Sequence, residues 1–150
     1  MQIPEYVTRE EVQRVCRELG ISDWSSRQDD KVDASEARII LKAVNRQNMN
    51  IPIETFVEGL AVELEHGTRF ADANVTNNHP LLTGKIVLAH LKETMDYYLR
   101  ISVAELEGDL LEAIKTGDPL RIKGKFNKLV KARQDLDRAI EASLVAQSCL

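Results

Sequence analysis

Apolar residues recur at helical spacing in six segments of the chain, and this periodicity is the strongest constraint on its fold. In the first segment, Val12, Val15, Cys16 and Leu19 fall on one face of a helix that Gly20 is expected to end. Residues three or four apart share a helix face, so each segment can bury one side against its neighbours. The pattern predicts an all-α protein.

Capping signatures mark the starts of the first two helices. Thr8 is followed three residues later by a glutamate, and Asp33 and Glu36 repeat that spacing. The connecting segment 21–31 lacks periodicity, and we expect its Trp24 to pack on the core. The acidic residues around Asp33 lack the central glycine and the spacing of a calcium loop, so we interpret them as a solvated linker and a helix cap.

A long polar loop is predicted between the third and fourth helices. The third helix is expected to start at Pro52 and to stop at Gly67, since proline suits a first helical position and glycine a helix end. Segment 68–82 is rich in turn-forming residues, and such a long loop is usually functional or packed on itself. Thr83 is expected to cap the fourth helix, which we predict to reach Tyr98.

The last third of the chain has the pattern of a helical hairpin. Residues 116–119, Thr-Gly-Asp-Pro, can end one arm, cap the next and restart it. We therefore predict an irregular helical bundle with a long inter-helix loop and a C-terminal helical hairpin. Its parts would be a helical pair at 1–50, a central module at 51–100 and the hairpin at 101–150. They would form one compact domain, or a domain with an extension.

The composition narrows the class of protein. With 43% hydrophobic residues, a chain of 150 residues can bury a real core, which argues against disorder. The formal net charge of -4 gives no general attraction to nucleic acid or to an anionic membrane. Neither a secretory leader nor a long apolar run is evident, and the distant thiols Cys16 and Cys149 suggest neither a disulfide nor a zinc-thiolate site. We expect a cytoplasmic location.

Two pairs of glutamate and histidine flank the long loop. Glu63 and His66 are three residues apart on one predicted helix, and His90 and Glu93 are three apart on the next. This spacing places each pair on one helix face. Carboxylates and imidazoles on antiparallel helices are the groups with which helical bundles bind iron, manganese or zinc. The four residues are therefore a candidate metal site, and the reversed order of the second pair favours a mononuclear site or one completed across a dimer.

The same residues also have an interpretation without a metal. His66 near a helix C-terminus is favoured by the helix dipole, and His90 can be a partly buried imidazole that hydrogen-bonds to Glu63 or Glu93. Both interpretations stay open at this point. His79, in the loop, is interpreted as a turn residue.

The enzymatic alternative is an iron- or manganese-dependent redox enzyme at the same four residues. On the predicted fourth helix, His90, Glu93 and Tyr97 lie on one line, so Tyr97 could donate a hydrogen bond beside the metal. Nucleophile elbows, phosphate-binding loops and dinucleotide motifs do not occur. Hydrolase, kinase and dinucleotide-enzyme classes are therefore disfavoured, and no reaction is selected.

The last helix offers two kinds of partner surface. Residues 121–133 carry six basic side chains and no acidic one, a stripe that could contact phosphates or an acidic protein. We favour a solvated face balanced by the acidic residues that follow, because only Phe126 could stack on a base. Nucleic-acid binding is not expected. The apolar stripe of this long helix instead suits a homo-oligomer or a protein partner.

Four motifs occur in order along the centre of the chain: VELEHG at 62–67, NVTNNHP at 74–80, TGKIVLAHLKE at 83–93 and DYY at 96–98. Together they resemble, over roughly residues 56–100, a small domain of unknown function found in bacterial and phage proteins. The resemblance implies that the site of this family lies at the matching positions Glu63, His66, His90, Glu93, Asp96 and Tyr97. Asp96 and Tyr97 would then contact a cofactor.

The chain departs from the resembled pattern at two places. Acidic residues expected before the loop proline are replaced by Asn78 and His79, and Met95 stands where a proline is expected. If the loop acids are ligands in the family, this chain has lost them or replaced them with His79. The resemblance brings no activity with it, but it implies an accessory or virion role.

Overall fold

A computed structural model describes residues 6–148, and the side chains of residues 6–145. Every regular element in this range is helical, which confirms the all-α class. The helices are, in chain order, α1 Arg9–Leu19, α2 Ala34–Val44, α3 Ile53–Arg69, α4 Pro80–Glu93, α5 Tyr97–Thr116 and α6 Pro119–Ser148. Single 3₁₀ turns occur at Trp24–Ser26 and Ala71–Ala73. None of the helices within residues 6–148 is long and apolar enough to cross a membrane. Cys149 lies outside the described residues.

The chain divides into two compact units, Met1–Glu93 and Thr94–Leu150. In the first unit, α2, α3 and α4 pack on one another, and α1 contacts α4 and the turn that contains Trp24. The largest fully buried side chains of this unit come from all four helices and from that turn: Val12, Cys16, Trp24, Ile40, Phe56, Leu60, Leu64, Pro80, Val87 and Leu91. The unit thus has one shared apolar core.

The ends of α1 follow the predicted capping chemistry. The hydroxyl of Thr8 accepts a hydrogen bond from the backbone N–H of Glu11 at 3.3 Å. Gly20 follows the helix in the left-handed region, with a φ of 68°, and its N–H donates to the carbonyl of Arg17. Glycine adopts this conformation without the steric penalty of a side chain, so it ends the helix here.

Glu36 does not complete a capping box, contrary to the prediction from its spacing. Asp33 caps α2 by accepting from the N–H of Ser35, while Glu36 points to the connecting segment. Its carboxylate accepts from the N–H of Ser22 at 2.7 Å, from Trp24 Nε1 at 3.0 Å and from Arg27 Nη2 at 2.7 Å. Glu36 therefore holds the aperiodic segment against the core, and the solvated interpretation is wrong for this residue.

Two predicted boundaries around the long loop are shifted in the structure. The third helix does not stop at Gly67 but continues through Arg69, and α4 begins at Pro80 rather than after Thr83. Proline at the first helical position has a suitable φ and lacks only an N–H that would have no partner within the helix. Thr83 is instead buried inside α4. The irregular loop is therefore restricted to residues 70–79.

The fourth helix ends at Glu93 and does not reach Tyr98 as predicted. The hydroxyl of Thr94 donates to the carboxylate of Asp96, and the backbone N–H of Tyr97 donates to the carbonyl of Thr94 at 3.2 Å. Short polar side chains that bond to nearby groups compete with helix continuation, and α5 starts anew at Tyr97. The predicted line of His90, Glu93 and Tyr97 along one helix is therefore wrong.

The second unit is the predicted C-terminal hairpin of α5 and α6, although α5 starts at Tyr97 rather than after residue 100. Gly117 ends α5 with a φ of 70°, and the carboxylate of Asp118 accepts from the N–H of Leu120 at 2.9 Å at the start of α6. Lys125 of α6 pairs with Asp109 of α5. Asp109, which precedes the basic stripe in the chain, thus neutralises part of its charge within the hairpin.

Candidate functional site

Glu63 lies between the two histidines that were predicted to accompany it. One carboxylate oxygen, Oε1, is 3.6 Å from His90 Nε2 on α4, and the other, Oε2, is 3.7 Å from His66 Nδ1 on α3. The Glu63 side chain is only 13% exposed, whereas that of His66 is 67% exposed. These three residues, which we call the Glu63 cluster, place one mostly buried carboxylate within ion-pairing distance of two imidazoles.

The other three predicted site residues have different surroundings. Glu93 is exposed at the last position of α4. Asp96 and Tyr97 belong to the second unit, where Asp96 pairs with Arg100 at 2.7 Å. The Arg100 guanidinium beside Asp96 holds the pKa of that carboxyl below its usual range. The ring of Tyr97 packs edge-on against that of Tyr98.

The described part of the chain contains no group of three or more His, Cys, Asp or Glu side chains arranged to hold a metal ion. Glu63, His66 and His90 supply the chemically suitable types of donor, but their observed contacts are between the carboxylate and each imidazole. The metal assignment to Glu63, His66, His90 and Glu93 stays a prediction.

A cavity of about 310 Å³ opens beside the Glu63 cluster, wholly within the first unit. It is lined by the second half of α3, the loop 70–79 and the first half of α4. The lining residues are Glu63, His66, Gly67, Phe70, Ala73, Asn74, Val75, Thr76, Thr83 and Ile86. This volume is at the small end of the range found for small-molecule sites.

The loop wall of the cavity is held by asparagine side chains. Asn74 Nδ2 donates to the carbonyl of Gly67 at 3.3 Å and to Asn78 Oδ1 at 3.0 Å. Asn78 is buried with a φ of 59°, and Asn77 has a φ of 48° and donates to the carbonyl of Val7. Asparagine tolerates the left-handed region better than most residues. The backbone conformation and the side-chain hydrogen bonds together give this loop a defined structure.

Gly67 makes the close approach of this loop to α3 possible. A β-carbon at this position would lie 2.1 Å from Asn78 Oδ1 and 2.7 Å from Asn74 Nδ2. Contacts this short cannot be accommodated without displacing the loop amides. The glycine thus serves to let the cavity wall pack on the helix, in place of the helix-ending role predicted for it.

His79, the last residue of this loop, caps the N-terminus of α4. Its Nδ1 accepts hydrogen bonds from the backbone N–H groups of Leu81 at 3.2 Å and Leu82 at 3.4 Å. These are the second and third residues of the helix, whose N–H groups have no partner within it. Only an imidazole without a proton on Nδ1 can accept these bonds, so the neutral ring is the capping form.

Acid is expected to weaken this cap. Burial lowers the pKa of His79 below its usual value, and Arg14 and Lys85 also lower it, although Glu11 opposes them. With a depressed pKa in the folded state, the stabilisation is complete above the unfolded pKa of about 6.5 and is lost as pH falls through the folded value. We expect the first unit to lose about 1 kcal/mol, the typical contribution of a helix cap, in that window.

The measurement is urea unfolding of the full chain, followed by Trp fluorescence, between about pH 7.5 and 5. The variant His79→Asn keeps a capping side chain that does not titrate, so its free energy of unfolding should fall less than that of the wild type. Parallel pH profiles for the two proteins would show that His79 does not link stability to pH.

Several cavity residues had no distinctive sequence pattern. Phe70, Asn74 and Val75 belong to a loop that was predicted to be functional or packed on itself, but no spacing selects them as lining residues. His79 could have been recognised as a cap, because it immediately precedes a proline that suits a first helical position. The length of the loop therefore indicates where the cavity lies, but it does not indicate which loop residues line it.

Possible partner surfaces lie in the second unit. Arg133 Nη2 is 2.6 Å from Glu107 Oε1 of α5, which adds to the neutralisation of the basic stripe. Phe126 and Val130 on α6 are exposed, so apolar side chains are available for contact with another chain. The homo-oligomer or protein partner through the last helix stays a prediction.

A family model, described as a protein of unknown function (DUF5661), matches residues 12–107, more than half of the chain. The match extends beyond the region 56–100 on which the resemblance to a domain of unknown function rests. It covers all four helices of the first unit except the first residues of α1, and it ends within α5. Neither a curated protein nor a solved structure matches the chain.

Proposed function

The chain belongs to the DUF5661 family, whose function is unknown, and on this premise we propose that its first unit is a binding module for a small ligand in the cavity beside Glu63. In this proposal the protein is a small helical accessory protein and not an enzyme. The α3 and α4 helices supply two walls of the cavity, and the loop 70–79, held by the hydrogen bonds of Asn74 and Asn77, supplies the third.

One observation carries this proposal: exposed apolar side chains converge on the cavity. The large apolar residues that are exposed among the described residues of the first unit are Tyr6, Ile39, Phe70, Val75 and Ile86. Three of these line the cavity together with a mostly buried carboxylate. Apolar walls around one charged group are the usual composition of a small-molecule site.

A fragment screen on the full chain tests the proposal, with binding followed by protein-observed NMR. We expect a subset of fragments to shift the resonances of α3, the loop and α4. The variant Ile86→Trp fills the cavity and should weaken their binding at least about tenfold, a loss on the order of 1.4 kcal/mol.

The matched control for this screen is Ile39→Trp. Ile39 and Ile86 are both 37% exposed on helices of the same unit, but only Ile86 lines the cavity. Fragment binding should therefore be unchanged in Ile39→Trp. The proposal is overturned if no fragment perturbs the cavity resonances, or if the two variants have equal effects.

The second candidate function is the binding of a divalent iron, manganese or zinc ion by the Glu63 cluster. It is supported by the carboxylate of Glu63, whose two oxygens each face an imidazole nitrogen within 3.7 Å. Carboxylate oxygens and imidazole nitrogens are both donor types that these ions accept. Metal analysis of protein purified without a tag tests this function, with the double variant His66→Ala/His90→Ala as the comparison. If the wild-type protein holds no metal after supplementation, the metal-binding function is ruled out. Oxygen consumption by the iron-loaded protein would then separate a redox enzyme from a structural site.

A further inference from the structure

We propose that the ligand of this cavity is a small organic cation, an ammonium group on a short apolar body, with its charge held by Glu63. This inference rests on the proposed function and adds the chemical class of the ligand.

The lining favours a positive charge. Of the described residues that line the cavity, Glu63 is the acidic one and none is a lysine or an arginine; the imidazole of His66 also lines it, with Nδ1 3.7 Å from Glu63 Oε2. The carboxylate is only 13% exposed, so a charge beside it is screened less by water than at an open surface. An anionic ligand would meet the same carboxylate at close range and would be repelled.

The polar groups of the loop wall are engaged in holding the loop. Asn74 Nδ2 bonds to Gly67 and to Asn78, and the hydroxyl of Thr76 donates to Asn74 Oδ1 at 3.4 Å. These bonds stabilise the wall, and a ligand that competed for them would loosen it. Glu63 is the negatively charged group of the lining, and a bound ammonium would share its carboxylate with the imidazoles of His66 and His90.

The rest of the lining suits the apolar body of such a ligand. Phe70 is 55% exposed and Val75 is 85% exposed, although both line a cavity in which they could be covered. Covering these side chains with alkyl groups removes apolar surface from water. The aromatic ring of Phe70 also attracts cations through its negative face, which adds to the preference set by the carboxylate.

Three probes with the same 3-methylbutyl body test the ligand class: 3-methylbutylammonium, 3-methylbutanol and 4-methylpentanoate. Dissociation constants are measured by NMR titration of the full chain at about pH 8, above the ordinary range of imidazole titration. We expect the ammonium to bind roughly tenfold more tightly than the alcohol, since a charge-assisted hydrogen bond contributes more than a neutral one. The carboxylate should bind most weakly.

The variant Glu63→Gln removes the charge and nearly preserves the shape of the side chain. Its affinity for the ammonium should fall roughly tenfold, to the level of the alcohol, while its affinity for the alcohol stays the same. Glu54→Gln is the matched control, because Glu54 is an exposed residue of the same helix that does not line the cavity. Binding by this variant should equal that of the wild type.

Several outcomes would overturn the inference. It fails if the alcohol or the carboxylate binds as tightly as the ammonium, if Glu63→Gln retains the preference, or if none of the three probes binds. The proposed function is judged separately by the fragment screen and by Ile86→Trp. A cavity that binds neutral fragments would retain the binding function and refute only the cationic ligand.

Discussion

Replacement of Glu36 by alanine is expected to destabilise the first unit by about 3–5 kcal/mol, the range for breaking a buried ion pair. The substitution leaves the indole N–H of Trp24 and the guanidinium of Arg27 without their shared acceptor. Both side chains of the Arg27–Glu36 pair are at most 15% exposed, so water cannot readily replace the lost carboxylate. Burial raises the pKa of Glu36, but the hydrogen bonds from Ser22 and Trp24 and the charge of Arg27 together lower it more, so the net pKa lies below the usual value.

Tryptophan fluorescence is the natural measurement, because the chain has a single tryptophan and Trp24 is fully buried in the first unit. Unfolding of this unit can thus be followed separately from the hairpin. For a unit of this size, the expected loss lowers the melting temperature by more than about 10 °C. The control is Glu18→Ala, which removes an exposed surface ion pair with Arg14 and should change stability by less than about 1 kcal/mol. Similar losses in the two variants would refute the anchoring role of Glu36.

Gly67→Ala is expected to destabilise the first unit by roughly 1–3 kcal/mol and to release the loop 70–79. An alanine in a helix normally gains about 1 kcal/mol over glycine. Here the added carbon would lie 2.1 Å from the buried Asn78 side chain, so the loop amides must move and lose their hydrogen bonds. The displacement and these lost bonds outweigh the gain in helix propensity.

The control for Gly67→Ala is Gly108→Ala in α5. A β-carbon at Gly108 would meet no other atom within 4 Å, so this substitution should raise the stability of the hairpin by about 0.5–1 kcal/mol. Thermal unfolding by circular dichroism compares the two variants, and hydrogen exchange shows whether the loop opens. If Gly67→Ala were as stabilising as Gly108→Ala, the proposed packing of the loop on α3 would be wrong.

Most helix boundaries could be predicted from local sequence because their causes are local. Thr8 and Gly20 define α1, and Gly117 and Asp118 define the turn of the hairpin, through contacts within a few residues. The role of Glu36 could not be predicted in this way, since its partners Ser22 and Trp24 are 14 and 12 residues away. A capping-box spacing does not reveal that a tertiary partner will bind the carboxylate instead.

The same distinction applies to the candidate site. The spacing of Glu63 and His66 predicts a shared helix face, and the structure places His90 of the next helix against the same carboxylate. Neither a glycine nor a proline marks the helix break after Glu93, so the sequence pattern places Tyr97 in the fourth helix, whereas it begins α5. The sequence does not distinguish a glycine that ends a helix from one that lets another segment pack closely on the helix. The role of Gly67 could therefore not be predicted.

The bond from the side chain of Asn77 to the carbonyl of Val7 joins positions 70 residues apart. It therefore links the segment before α1 to the loop between α3 and α4. The entropy lost in closing a chain segment grows with its length, so such a contact becomes favourable only after the intervening helices have packed. The hydrogen bond from Asn77 to Val7 should form late in folding. The loop wall of the cavity should therefore become complete only after the helices of the first unit have packed.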